Sequence, residues 1–175
     1  MFRFFILFCG LIIISCYPKP KLEIIHDEFD GSITYLLENN ILISDDPTHE
    51  IELNIQKTID ENNSYYLLIF ECIGSTKIGL NDSTKTTFDI DGEKITIKPI
   101  SIKTNQDFDP DLVLEIGNYK VNFSLIKNIA YGNEIRIKIN GNRKILYSHL
   151  SLDNKINLQN FIESFIPFEE QTRFN

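Results

Sequence analysis

The sequence predicts a mainly β protein: an antiparallel β-sandwich or partly closed barrel with one C-terminal amphipathic helix and a short second helix as an option. Three observations lead there. Apolar and polar residues alternate with a period of two along much of the chain after residue 32. Turn-forming pairs, Asp91-Gly92, Gly117-Asn118 and Asn140-Gly141, separate such runs at hairpin spacing. A long helical apolar repeat occurs near the C-terminus.

In chain order, Ile51, Leu53 and Ile55 alternate with Glu52, Asn54 and Gln56, the pattern of a half-buried strand. Residues 65–72 are apolar at nearly every position and predict a central strand covered on both faces. Phe88 and Ile90 run into Asp91-Gly92, then Ile95 and Ile97 follow; Asp89 and Asp91 belong to that turn. A second hairpin is expected from 112–116 and 119–123 around Gly117-Asn118. A third is expected from Ile135, Ile137 and Ile139 with Ile145 and Tyr147. Ser124 predicts the N-cap of a short helix over 124–131, with Leu125, Ile126 and Ile129 inward. Leu158, Phe161, Ile162, Phe165 and Ile166 then form one helical stripe, beginning near 153–157 and stopped by Pro167. Residues 24–167 therefore read as a single β-rich domain of about eight to ten strands, and 168–175 as a tail.

The N-terminus has another character. One cation, Arg3, precedes eleven consecutive apolar residues, 4–14. A membrane-spanning helix needs about 20, so this run has the length of a signal-peptide core. Ile13-Ile14-Ser15-Cys16 follows and resembles the lipobox of bacterial lipoproteins, with a branched apolar residue, a small residue and a cysteine at the right spacing. Abundant isoleucine (30) and asparagine (17), a single alanine and no tryptophan resemble spirochaete lipoproteins in composition. The resemblance implies removal of residues 1–15, Cys9 included, and a lipid on the Cys16 thiol. It implies a tether over 16–23 and placement in the cell envelope, at the outer membrane because Tyr17 is not an inner-membrane retention aspartate. It covers residues 1–16 only; the rest of the chain carries no family motif. Diacyl anchoring holds a protein on a bilayer without spanning it.

Cleavage would leave 160 residues with 16 basic and 25 acidic side chains, a net charge of −9. Phosphate backbones need a positive surface, so nucleic acid is not an expected partner. With Cys16 lipidated, Cys72 is the one remaining thiol, which excludes an internal disulfide and a cysteine-based metal cluster.

Chemistry-bearing residues are scattered. His26, His49 and His149 each stand near a carboxylate or at a strand end, without metal-ligand spacing. Asp107, Asp109 and Asp111 alternate like the start of a calcium loop. That loop needs glycine at its sixth position and glutamate at its twelfth, where this chain has Leu112 and Asn118. Phosphate-loop, nucleophile-elbow and zinc-protease motifs are lacking, so neither a catalytic residue nor a cofactor is expected. Tyr17, Tyr35 and Tyr131 are aromatic residues not obviously committed to the core. The leading expectation is a membrane-anchored envelope lipoprotein that binds or organises a protein or envelope partner without catalysis. The alternatives are a hydrophobic-ligand carrier, if the β structure encloses a cavity, and an anchored hydrolase using His/carboxylate groups.

Overall fold

Two antiparallel sheets face each other across an isoleucine-rich core in the computed structural model, which describes residues 19–167 apart from Asn62 and leaves out the side chains of 106–108. The expected signal peptide, Cys16 and the tail 168–175 lie outside the described residues. The strands are β1 (Lys21–His26), β2 (Ile33–Glu38), β3 (Ile43–Ser44), β4 (His49–Ile59), β5 (Ser64–Gly74) and β6 (Lys85–Ile90). They continue with β7 (Glu93–Ile97), β8 (Ser101–Asp109) and β9 (Leu112–Val121), then β10 (Ile135–Asn140) and β11 (Ile145–His149) after helix α1 (Phe123–Tyr131). Helix α2 (Leu152–Phe165) follows. The larger sheet has the order β1-β2-β4-β5-β9-β8 and the smaller β3-β11-β10-β6-β7, and every pairing is antiparallel. This is a sandwich of two separate sheets, with no closed barrel.

Period-2 patterning decides what enters the core. On β4, Ile51, Leu53 and Ile55 point inward beside Cys72, Phe70 and Leu68 of β5. The smaller sheet contributes Phe88, Ile135, Ile137, Ile139 and Leu146. Phe70 bridges the layers, with its ring centroid 5.9 Å from Phe88 and 5.6 Å from Tyr119. Each such side chain contributes roughly 1.5–3 kcal/mol through burial.

The helices pack against each other and against the larger sheet. In α2 the Ser151 hydroxyl and the Asn154 side chain cap each other's backbone N–H, and Leu158, Phe161 and Ile162 are buried. Asn154 Nδ2 and Asn157 Nδ2 both donate to Asn40 Oδ1, and Phe165 stacks on Tyr35 of β2 at 4.8 Å. Gln159 Nε2 donates to the Ala130 carbonyl of α1 at 2.8 Å.

Several expectations are corrected. Gly117-Asn118 is no turn: it lies inside β9, where the Tyr119 ring covers the glycine. A Cβ there would sit 2.9 Å from Tyr119 Cε2, so Gly117 makes room for an aromatic ring. The partner of that strand half is β5, together with β8. Helix α1 is capped by Asn122, whose side chain accepts from Leu125 N at 2.9 Å, and not by Ser124; burial of Phe123 draws the helix start back. Helix α2 starts at Leu152, and the strands among the described residues number eleven. Lys21, Leu22 and Glu23, expected in the tether, already pair with β2. Finally, β5 is central but one-sided: Tyr66, Leu68, Phe70 and Cys72 are buried, while Leu67, Ile69 and Ile73 are half-exposed. The hairpins at Asp91-Gly92 and between β10 and β11 form as expected, Asp91 taking φ 52° and Gly92 φ 92°.

Candidate functional site

The histidines do not converge. His26 is exposed at the end of edge strand β1. His49 is buried, with both ring nitrogens committed: Nε2 donates to the Thr76 carbonyl at 2.9 Å, and Nδ1 lies 2.9 Å from Thr48 Oγ1 and 3.4 Å from Lys144 Nζ. Its carboxylate neighbour is Asp46, not the adjacent Glu50. Asp46 pairs with Lys144 and accepts from the Thr48 hydroxyl and N–H, which together hold its carboxyl far below the usual range. These groups lock the 45–48 turn to the start of β11. A Cβ at Gly74 would lie 2.5 Å from the His49 ring, so the imidazole fills a space the glycine leaves. His149 stands on the solvent side, 3.9 Å from Asp45, and strand alternation sends its neighbour Ser148 into the core.

Other candidate groups are also structural. Burial pushes the Cys72 thiol well above its ordinary range, with Glu115 and Glu71 adding to the effect, which disfavours the thiolate there. The Tyr119 hydroxyl, bonded to Thr86 Oγ1 at 2.9 Å, is pushed up to about 12 by burial. Asp109 Oδ1 accepts from Asp111 N at 2.8 Å and closes the β8–β9 turn; the Asp107 side chain lies outside the described residues. Among the described residues no group of three His, Cys, Asp or Glu side chains is placed to hold a metal ion. Tyr35 is stacked on Phe165, whereas Tyr131 is half-exposed. One open recess of about 690 Å³ runs from Pro20 past Ile43 and His49 to Asn157, and another of about 520 Å³ lies between Asp45, Arg136 and His149.

The feature that stands apart is the outer face of the larger sheet. Register places Leu36, Leu67, Ile69, Ile73, Leu114 and Ile116 together on it. Among the described residues neither helix packs there; α2 lies on the opposite side, against Tyr35. Apolar side chains on a sheet face are ordinarily covered by another layer. Beside them, Glu52 and Glu71 are direct cross-strand neighbours, and Asn54 Nδ2 donates to both, at 3.1 and 3.3 Å. Burial raises both carboxyls above their usual range; Glu50 adds to the shift at Glu52, and Glu52 and Glu38 add to it at Glu71. The primary signal for this face was the run of β5, apolar at nearly every position.

Because the folded state binds protons more tightly at Glu52 and Glu71, their contribution to stability increases as pH falls from neutrality through the raised values, and is complete below the ordinary glutamate value of about 4.3. Asp46 acts oppositely, and its contribution is lost only in stronger acid. Glu71→Gln is expected to raise the thermal midpoint at pH 7 by a few degrees and to flatten its rise toward pH 5. A midpoint lowered at both pH values would contradict the like-charge account. Comparison with protein-family models, curated proteins and solved structures returns no match to this chain.

Proposed function

We propose that the protein is a membrane-anchored envelope lipoprotein that works by contact, using the outer face of the larger sheet, and not by catalysis. The observation that carries the contact role is that face: apolar residues on β2, β5 and β9 with no described layer over them. The anchor rests on the lipobox resemblance of 13–16. With β1 beginning at Lys21, four residues separate it from Cys16, a reach of at most about 18 Å when extended. The two acyl chains of one diacylglyceryl group hold such a domain stably, and confinement to the bilayer raises its effective concentration toward partners in the same membrane.

The experiment is fractionation of cells carrying the native chain or Cys16→Ser. The native protein is expected in the membrane pellet, released by detergent but not by high salt. Cys16→Ser is expected to lose mature, diacylated protein from that fraction. Equal detergent-dependent fractionation of the two chains, with the same processed mass, would overturn the anchor.

A further inference from the structure

We infer that the outer face of the larger sheet is a self-association surface, covered by the same face of a second copy. This deepens the contact reading above and rests on it. Cross-strand register arranges the face in rows. Glu52, Glu71, Ile116 and Lys103 form one row, and Glu50, Ile73, Leu114 and Asn105 the next. On the other side run Asn54, Ile69, Asn118 and Ser101. Charge is therefore divided across the sheet. Glu38, Glu50, Glu52 and Glu71 lie on β2, β4 and β5, with the Lys21–Glu23 pair of β1 at the rim beside Glu38, whereas Lys103 lies on β8 and Lys120 on β9, with the apolar residues between.

Such a face is complementary to itself. A two-fold axis parallel to the strands, running between β5 and β9, lays β4 of one copy over β8 of the other. Glu52 then meets the second copy's Lys103 in the same row, twice per dimer, and Ile73 meets Leu114. The burial that raises Glu52 and Glu71 in one copy is offset when each cluster gains a lysine. Aligned sheets pack about 10 Å apart with their inner side chains interdigitated. The four strands that overlap, by seven residues, give a footprint of roughly 450 Å² per copy, about 900 Å² in total, the size of a weak association that confinement to one bilayer reinforces. An isologous pair of this kind is the commonest oligomer symmetry.

The test uses the full chain in native membranes. Ile69→Cys, beside the axis, is treated with a short bismaleimide; Thr87→Cys, on the outer face of the smaller sheet, is the control. Ile69→Cys is expected to give a crosslinked dimer and Thr87→Cys none. Adding Lys103→Glu, an exposed change, is expected to lower the dimer yield at least fivefold, and Glu52→Lys with Lys103→Glu to restore it. Equal dimer from both cysteines, or a dimer indifferent to Lys103→Glu, would overturn self-association. A crosslink to a different protein, or an Ile69→Cys monomer shielded from monofunctional maleimide, would overturn it too while leaving the face a covered contact surface. A freely labelled Ile69→Cys monomer would overturn both this inference and the contact reading.

Discussion

Glu115→Ala is expected to destabilise the protein by about 3–5 kcal/mol, measured as a lowered denaturant midpoint with little change in slope. Glu115 sits in β9 with 3 % of its surface exposed, directly across from Cys72. Its carboxylate accepts from three successive backbone N–H groups of the segment joining β5 to β6: Ile78 at 2.6 Å, Gly79 at 3.1 Å and Leu80 at 3.0 Å. That segment leaves the larger sheet and enters the smaller one, and it buries Ile78 and Leu80 as it crosses. Alanine would leave three backbone donors without their acceptor, those of Ile78 and Leu80 in buried residues. Glu115→Gln retains one oxygen and is expected to lose less, about 1–2 kcal/mol. A Glu115→Ala loss under about 1 kcal/mol would show that the segment is held by its apolar side chains alone.

Gly141→Ala is expected to cost about 2–4 kcal/mol, from the opposite side of the same crossing segment. A Cβ at Gly141 would fall 2.0 Å from the Ile78 carbonyl oxygen, 2.7 Å from its carbon and 2.8 Å from the Lys144 oxygen. All three atoms are backbone, so no rotamer change relieves the clash. The Ile78 oxygen also accepts from Arg143 N at 3.0 Å and Lys144 N at 3.2 Å, and Gly79 O accepts from Asn142 N at 2.9 Å. Pushing the β10–β11 turn away would break these bonds together. The control is Gly92→Ala, where φ is 92° but nothing lies within 4 Å; it is expected to cost only about 1 kcal/mol of backbone strain. Equal losses at the two glycines would refute the steric account. The double change Glu115→Ala with Gly141→Ala should cost less than the sum of the two, because both loosen one segment.

What could be read from sequence was what neighbours in sequence decide. Asp91-Gly92 between alternating strands specifies its own turn, because the dipeptide supplies the positive φ values. The stripe Leu158, Phe161 and Ile162 specifies its helix face in the same local way. Gly117-Asn118 misled because its meaning lies in Tyr119 and in β5, some fifty residues away in the chain. His49, Glu115 and Asn40 likewise take their partners from distant segments, and polar residue type alone does not reveal a buried bond. The apolar character of β5 on both sides was legible, but its sequence cannot say whether the second cover belongs to the same chain. Among the described residues, α1 and α2 both lie on the other side.

The join between β2 and α2 has a consequence in time. Tyr35 waits for Phe165, and Asn40 for Asn154 and Asn157. At about 5–20 residues per second, the ribosome needs roughly 7–26 s to add the 130 residues that separate the two rings. Until then the first strands have no helix to close them, and β5 still lacks β9. Pairings of such long sequence separation form slowly. The β2–α2 join is therefore made only when synthesis is nearly complete.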